Sequence, residues 1–419
     1  MATQSQAPAP TEPLQWPSVD GAEVPYRVFT DRAVFEREQE RIYRGRTWSF
    51  LGLDAEIPNP GDYKSTYVGD TPVVLVRGKD GIAAAWVNRC IHRGAKVCRH
   101  ARGNVRNFTC VYHQWQYGLD GKLLGVPFRK GLKGMQGMPE DFEMGEHGLL
   151  PLRVEGYKGL LFGTFQEDTE SLFDYLGAEM RPWIDRVFHK PVVFLGTLRQ
   201  RMKSNWKLYF ENVKDPYHGH LLHLFHNSFN IGRPNMDVAS ALDARGLHSA
   251  IVAVKNEGSK DTSIYKENVV STFKNDAKLQ DPEMIRMREE FELPVTNQIQ
   301  SIFPSLVVQQ IHNTLAARQI IPKSPGEFEL VFHLFGYEDD DEDLRSMRLL
   351  QANLVGPAGF ISMEDGEATE LVQAAVSPAG GTQASMMLMG YGAPEGHVSL
   401  ITEELLRAFW RGYRGIMED

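Results

Sequence analysis

Two short cysteine–histidine pairs constrain the fold of this chain more than any other feature of its sequence. Cys90 and His92 are separated by one residue. After seventeen intervening residues come Cys110 and His113, which are separated by two. The chain has only three cysteines and 13 histidines among 419 residues, so chance is a poor explanation of both spacings. The pattern predicts that two loops of the chain converge on one metal centre.

The residues alone leave two kinds of centre open. Two thiolates and two imidazoles could hold a structural zinc ion, or a [2Fe–2S] cluster with the cysteines on one iron and the histidines on the other. The cluster is favoured because each loop supplies one ligand of each type, and because Gly94 and Gly118 follow the pairs where the loops must be tight. Cys98 and His100 lack a partnered spacing, and we interpret them as ordinary structural residues.

Composition narrows the class of protein. A hydrophobic content of 42% and a charged content of 24% are typical of a globular protein, and 419 residues predict two domains. The net charge of −9 argues against a nucleic-acid partner. No apolar run reaches the roughly 18 residues of a membrane span. Three cysteines without a signal sequence indicate a cytoplasmic protein.

The local sequence pattern predicts an α+β protein. Residues 31–45 have apolar side chains at helical spacing, whereas residues 47–165 form short β-rich runs between Gly and Pro turns, which is typical of a small antiparallel domain. The Pro-rich residues 1–16 indicate a loose arm, and the acidic run 337–343 a solvated loop. Helices are expected over 171–188, 344–355 and 402–418, and two strands joined through Asn313 over 305–321. The predicted domains are an N-terminal arm and helix (1–45), a β domain (46–167) and an α+β domain with an antiparallel sheet (168–419).

A second group of histidines lies in the larger domain. The segment "NWKLYFENVKDPYHGHLLHLFH" holds four of the 13 histidines, together with Glu211 and Asp215. Spacing does not select the ligands: residues 220 and 223 would share a helix face, as would 223 and 226. His218 and His223 lie about 140° apart on an ideal helix. They could share one metal only if the helix ends or bulges between them.

Both groups resemble the motifs of one family. "CIHRGAKVC" and "CVYHQWQYGLDG" resemble the two cluster-binding loops of Rieske proteins, and "ENVKDPYHGHLLH" resembles the mononuclear-iron motif of Rieske non-haem iron ring-hydroxylating oxygenases. In the α subunits of that family a Rieske domain precedes a catalytic domain. The resemblance implies an all-β Rieske [2Fe–2S] domain and a catalytic domain whose antiparallel sheet is covered by helices (helix-grip, TBP-like).

The resemblance also implies a role for particular residues. The cluster ligands fall on Cys90, His92, Cys110 and His113, and the iron-binding histidines on His218 and His223. The family's carboxylate follows a "GPAGF" stretch, and in "GPAGFISMEDGE" it falls on Asp365 rather than on the neighbouring Glu364 or Glu367. Two histidines and one carboxylate leave open positions on Fe(II) for O2. A bridging aspartate falls on Asp215 and a supporting asparagine on Asn212, while His220 and His226 match no family role.

Partners follow from the same resemblance. The family is trimeric, and Asp215 would bridge His218 and His113 of the neighbouring subunit. The chain has no flavin or nicotinamide motif, so electrons from NAD(P)H must come through a separate reductase, a ferredoxin or both. A small β subunit in an α3β3 hexamer is expected, with α3 as an alternative.

Arg318 is the candidate for substrate recognition. The chain resembles most the branch of salicylate and anthranilate hydroxylases and terephthalate dioxygenases, whose substrates carry carboxylates. In "HNTLAARQIIP" alternation puts Ala316, Arg318 and Ile320 on one face of an apolar strand, and a buried carboxylate favours an arginine partner. A structural ion pair and a solvent-facing edge arginine are the alternatives; an arginine at the matching place in that branch favours a substrate anchor.

The sequence therefore predicts an oxygenase that hydroxylates or cis-dihydroxylates an aromatic carboxylate. No second arginine is conspicuous in the sheet, so a monocarboxylate such as salicylate or anthranilate is favoured over a terephthalate 1,2-dioxygenase α subunit. Two readings from other classes are a Rieske electron-transfer protein and a zinc-stabilised binding protein. Neither explains the set of His218, His223 and Asp365.

Overall fold

The N-terminal segment packs against the end of the chain. The computed structural model describes residues 14–229, 236–254, 263–268, 270, 279–292, 295–379, 383–393 and 399–418, so most of the predicted arm 1–16 lies outside the described residues. The ring of Trp16 lies 6.3 Å from those of Trp410 and Tyr413. Strand β1 (Glu23–Pro25) and helices α1 (Arg27–Thr30) and α2 (Arg32–Glu38) follow. The helix expected over 31–45 differs in its second half, because Gln39–Tyr43 is a π-helical turn.

The first sheet is antiparallel and has seven strands, in the order β2–β11–β10–β5–β4–β3–β6, beside a small sheet β7–β8–β9. One Cys/His loop follows β5, and the other connects β7 to β8. The strands are β2 (Ser49–Leu53), β3 (Asp62–Val68), β4 (Thr71–Arg77), β5 (Ala83–Val87), β6 (Arg102–Asn104), β7 (Phe108–Thr109), β8 (Gln116–Tyr117), β9 (Leu123–Gly125), β10 (Pro151–Tyr157) and β11 (Leu160–Thr164).

The second sheet is also antiparallel and has seven strands, in the order β12–β18–β17–β16–β15–β14–β13. The expected strand pair around Asn313 is present as β16 and β17. The strands are β12 (Val192–Met202), β13 (Asp237–Leu242), β14 (Ser249–Val254), β15 (Val295–Ile302), β16 (Leu306–Ile311), β17 (Thr314–Ser324) and β18 (Glu327–Tyr337). The two sheets with covering helices confirm the predicted α+β class.

Helices cover the second sheet, and two of them carry Asn212 and Asp365. They are α3 (Leu172–Val187, interrupted at Gly177 with φ 70°), α4 (Trp206–Asn212), α5 (Leu224–Ser228), α6 (Ser263–Glu267), α7 (Glu342–Val355), α8 (Phe360–Val376) and α9 (Glu404–Glu418). The last strand, β19 (Ala384–Met386), pairs with β1. Helix α4 packs against both α8 and β17, which brings three distant segments of the chain together. No helix among the described residues is long and apolar enough to cross a lipid bilayer.

The acidic run 337–343 differs from the solvated loop that we expected. Asp340 accepts a 2.7 Å hydrogen bond from Nε of Arg348, and both side chains are buried. Asp341 caps α7 by accepting a 2.8 Å hydrogen bond from the backbone N–H of Leu344. The run is therefore in part a helix start, where acidic side chains satisfy free N–H groups.

Candidate metal centres and active site

The two Cys/His loops have the same backbone conformation. In each loop the carbonyl of the cysteine, Cys90 or Cys110, accepts a 2.9 Å hydrogen bond from the residue four positions later, Gly94 or Gln114. Both of these residues have a left-handed φ, +77° at Gly94 and +58° at Gln114. In the second loop the left-handed position falls on Gln114, whereas Gly118 lies in the turn that follows β8. Two equivalent turns facing one another form a symmetric cradle.

The donor set of this cradle fits a [2Fe–2S] cluster. Cys90 and Cys110 are buried, whereas His92 is exposed and His113 half-buried, with the two imidazole rings 4.5 Å apart. The indole ring of Trp115 stacks on His92 at 4.7 Å. Burial raises the pKa of the Cys110 thiol, so a thiolate at this position needs a bound cation. Two inner thiols and two outer imidazoles match a cluster with one cysteine-bound and one histidine-bound iron.

Cys98 has a different environment. Asn88 donates a 2.8 Å hydrogen bond to the carbonyl of Cys98 and accepts another of 2.8 Å from its N–H. The Cys98 thiol lies 3.4 Å from the hydroxyl of Ser65. These contacts hold Cys98 in place within the β domain.

In the second domain no continuous helix joins the two candidate histidines, as a shared metal requires. Helix α4 stops at Asn212, a short 3-10 turn covers His218–His220, and α5 begins after His223. His223 occupies the N-cap position of α5, and its backbone is not helical there, with ψ at 83°. The third candidate, Asp365, comes from the buried face of α8.

The three side chains converge at metal-binding distance. Nε2 of His218 lies 3.4 Å from Oδ1 of Asp365, and Nε2 of His223 lies 3.3 Å from the same oxygen. One ligand atom from each residue lies within 4.8 Å of the other two. Nδ2 of Asn212 is 3.2 Å from Oδ1 of Asp365 and 3.3 Å from Nε2 of His218. The set can hold one metal ion in a facial arrangement with open positions.

Electrostatics favour a cation at this position. Burial alone would raise the pKa of Asp365, but His223 and His218 hold it well below its usual range. Burial opposes protonation of His218, yet its contacts with Asp215 and Asp365 raise its pKa to about 10. The group therefore collects positive charge beside a carboxylate that stays ionised. A divalent metal would replace the protons on the imidazoles.

The second nitrogen of each imidazole faces a carboxylate, with hydrogen-bond geometry at His223 and ion-pair distance at His218. Nδ1 of His218 lies 3.3 Å from Oδ2 of Asp215, and Nδ1 of His223 donates to Oε2 of Glu364 at 2.9 Å. Such partners fix the tautomer, so that Nε2 of each ring is left for the metal. The sequence indicated Glu364 only as a competitor of Asp365, and its contact with His223 was not predicted. Its position directly beside the predicted ligand was the available signal.

A cavity with about 720 Å³ of empty space, part of it open to solvent, adjoins these ligands. Its apolar wall comes from one face of the sheet, including Ile251, Ile299 and Ile311. His220 and His226, which had no predicted role, also line the cavity and are buried. Burial lowers the pKa of His220 to about 3 and that of His226 well below its usual range. Spacing alone could not separate these residues from the two candidate ligands.

Arg318 lies in the same cavity wall. It is 3% exposed on β17, an inner strand, so it is not an edge arginine facing solvent. Its Nε donates to Oε1 of Gln309 at 2.5 Å, and its Nη1 donates to the hydroxyl of Tyr209 at 2.7 Å. Within the described part of the chain it has no carboxylate partner, so it is not a structural ion pair there either.

Comparison with family models assigns both domains. Residues 47–136 match the Rieske [2Fe–2S] domain, and residues 187–419 match the ring hydroxylating alpha subunit (catalytic domain). The second match covers more than half of the chain. It confirms the resemblance drawn from the motifs.

Curated relatives match along almost the whole length. The chain is 57% identical to the anthranilate 1,2-dioxygenase large subunit of Burkholderia cepacia, over 96% of this chain and 95% of that one. It is 44% identical to the terephthalate 1,2-dioxygenase terminal oxygenase component subunit alpha 2 of Comamonas sp., over 96% and 97%. The predicted branch of the family is confirmed by these relatives.

The fold itself matches a solved structure. Naphthalene 1,2-dioxygenase from Rhodococcus sp., bound to indole, superposes with a TM-score of 0.78 at 24% identity, covering 94% of each chain. Domain matches, near full-length relatives and fold agree. The chain thus belongs to the ring-hydroxylating oxygenase alpha subunits, a family of enzymes that join a Rieske [2Fe–2S] domain to a catalytic iron domain.

Proposed function

We propose that this chain is a terminal oxygenase subunit that hydroxylates an aromatic monocarboxylate whose carboxylate binds Arg318. The observation that carries the proposal is a buried cation with no carboxylate partner among the described residues, in the wall of the cavity that adjoins the candidate iron site. An unpaired charge in an apolar wall is costly, and an anionic ligand removes that cost.

The neighbours of Arg318 orient its guanidinium group. Tyr209 and Gln309 each accept one of its N–H groups, and the ring of Phe332 lies 5.2 Å from the guanidinium carbon. The remaining N–H groups can form the paired hydrogen bonds that a carboxylate accepts. A fixed fork of this kind would hold the aromatic ring in one orientation over the apolar wall.

The metal sites supply the chemistry in this proposal. His218, His223 and Asp365 would hold Fe(II), and Cys90, Cys110, His92 and His113 would hold the [2Fe–2S] cluster. Bound there, the iron would activate O2 for insertion into the ring. Asn212, Asp215 and Glu364 would keep the ligands in position, because each contacts a ligand side chain.

Electron delivery would cross a subunit boundary. Oδ1 of Asp215 accepts a 2.8 Å hydrogen bond from the N–H of Tyr217, and its Oδ2 faces His218. The Asp215 side chain is 16% exposed, so a neighbouring copy can reach it. We propose a trimer, with or without β subunits, in which His113 of the neighbouring subunit contacts Asp215. A ferredoxin, a flavin reductase or both would feed the cluster in the cytoplasm.

The substrate class is drawn from the named relatives. Anthranilate and salicylate are the favoured candidates, and terephthalate is the alternative because a relative at 44% identity is a terephthalate dioxygenase subunit.

The two sheets support domain boundaries near 46–167 and 168–419, which stay a prediction.

The test compares an acid with its amide. Arg318→Leu should weaken binding of salicylate by about ten- to over a hundredfold, because a charge-assisted pair contributes about 1.5–3 kcal/mol. Binding of salicylamide should change much less. Arg318→Lys keeps the charge but loses the paired N–H groups. Its affinity for salicylate should therefore lie between that of the wild-type protein and that of Arg318→Leu. Equal losses for acid and amide, with both metals retained, would place the carboxylate anchor elsewhere.

A further inference from the structure

The cavity has a second polar end, far from Arg318. Across the sheet Arg318 faces Val307, and Val307 faces Ser301; Asn297 lies four residues before Ser301 on the same strand. Residues opposite one another, and those two or four apart on a strand, share one face. Two strand spacings and four residues place the Cα atoms of Arg318 and Asn297 roughly 16 Å apart on that face. Both side chains line the cavity.

Two buried polar atoms in the cavity wall make no hydrogen bond to the described residues. Within the described part of the chain, neither Oδ1 of Asn297 nor Nε2 of His226 makes a hydrogen bond, and both atoms are buried. His226 is only 5% exposed, and it too lines the cavity. A buried group left without a partner is destabilising. Two such groups in the wall of one cavity point to a ligand that completes them.

The charge of this end restricts what can bind. Among the described residues that line the cavity, Arg318 is the one arginine or lysine. Among the described lining residues a second carboxylate at the Asn297 end would find no lysine or arginine, which is strongly unfavourable for a buried charge. A neutral amide, hydroxyl or amino group would instead give Asn297 and His226 the hydrogen bonds that they lack.

We propose that Asn297 and His226 form a second subsite, which binds a neutral hydrogen-bonding substituent across the ring from the carboxylate and rejects a second carboxylate. This proposal rests on the proposed function, in which Arg318 binds the first carboxylate. The separation across the sheet suits an aromatic ring that spans from Arg318 to Asn297. The subsite discriminates against para-dicarboxylates; salicylate and anthranilate, whose neutral group is ortho to the carboxylate, do not fill it.

The experiment uses the holoenzyme with oxidised cluster and measures equilibrium binding by calorimetry. The ligands are benzoate, para-carbamoylbenzoate and terephthalate, of which the last two are close in size but carry a neutral amide or a carboxylate as the distal group. In the wild-type protein para-carbamoylbenzoate should bind about two- to tenfold tighter than benzoate, the value of one neutral hydrogen bond. Terephthalate should bind at least about tenfold more weakly than para-carbamoylbenzoate.

Variants separate the subsite from the anchor. Asn297→Leu should remove the advantage of para-carbamoylbenzoate and leave benzoate affinity unchanged, and His226→Phe should do the same with iron content retained. Asn297→Arg should reverse the preference and strengthen terephthalate binding by about tenfold or more.

The results distinguish the two proposals. Wild-type binding of terephthalate as tight as that of para-carbamoylbenzoate, or an unchanged carbamoyl advantage in Asn297→Leu, would overturn the subsite. Benzoate affinity that does not respond to Arg318→Leu would instead overturn the anchor, whatever the distal group does.

Discussion

Glu364 accepts a 2.9 Å hydrogen bond from Nδ1 of His223, although the two residues are 141 positions apart in the chain. The adjacent residue on α8, Asp365, faces Nε2 of the same imidazole at 3.3 Å. One helix thus supplies both the candidate ligand beside His223 and the carboxylate that orients this histidine. The pair explains why the ring presents Nε2, and not Nδ1, to the candidate iron site.

Glu364→Gln should weaken iron binding by about ten- to a hundredfold, the usual effect of removing a charged partner from a ligand histidine. The fold should be kept, since glutamine can still accept the hydrogen bond. Iron affinity measured against a competing chelator checks the prediction. Glu367→Gln, on the exposed side of the same helix, is the matched control and should bind iron normally. Equal iron affinity in both variants would show that Glu364 does not support His223.

Local sequence pattern sufficed for the sheet and for the general location of the site. Strands β16 and β17 lie where residues 305–321 predicted two strands joined through Asn313, and Arg318 lies on the face that alternation along β17 assigned to it. The family motifs led to His218, His223 and Asp365, which the structure brings together. The resemblance to the family motifs carries these assignments, because the spacing of the histidines does not select the ligands.

Features that depend on distant contacts were not predictable. The contact between Glu364 and His223 depends on how α8 packs beside α5, and no local pattern encodes it. Nor does the burial of His226 follow from spacing, because the wall of the cavity comes from several strands and helices. Gln114 occupies a left-handed position that sequence reasoning reserves for glycine, and only equivalence with the first loop explains it.

Asp215→Asn tests the proposed coupling between the two metal sites. The substitution keeps the size of the side chain and its contact with the N–H of Tyr217 but removes the charge beside His218. Turnover with a reductase should fall by at least about a hundredfold, while the cluster spectrum is kept and most of the iron is retained. Steady-state activity close to that of the wild-type protein would contradict the bridging role of Asp215. Loss of the iron would show instead that Asp215 mainly supports His218.

Cys90→Ser and Cys110→Ser should each abolish the visible absorption and the electron-spin signal of the cluster, because a hydroxyl is a poor substitute for a thiolate on iron. Cys98→Ser is the matched control, since it makes the same change in a buried cysteine whose contacts are with Asn88, Ser65 and the carbonyl of His100. It should keep both signals. A cluster lost with Cys98→Ser and kept with Cys110→Ser would mean that the cysteine pair is assigned wrongly.

The raised pKa of Glu211 predicts that the stability of the catalytic domain depends on pH. Burial raises the pKa of Glu211 to about 8, although the indole N–H of Trp410 donates a 2.9 Å hydrogen bond to its carboxyl group. In the unfolded chain a glutamate has a pKa near 4.3, so between about pH 4.3 and 8 the folded state binds more protons than the unfolded state. Stability contributed by this group must therefore fall as the pH rises through that window.

Glu211→Gln removes this titration and keeps an acceptor for Trp410. At pH 5 the variant should unfold at nearly the same temperature as the wild type. At pH 8 it should unfold at a higher temperature than the wild type, because only the wild type must then bury a charge or retain a proton at a cost in free energy. Thermal unfolding followed by circular dichroism at the two pH values measures the difference. Glu338→Gln, on an exposed side chain, should show no such divergence. A Glu211→Gln variant that loses stability equally at both pH values would indicate that the carboxylate is ionised in the folded protein and paired in a way that glutamine cannot reproduce.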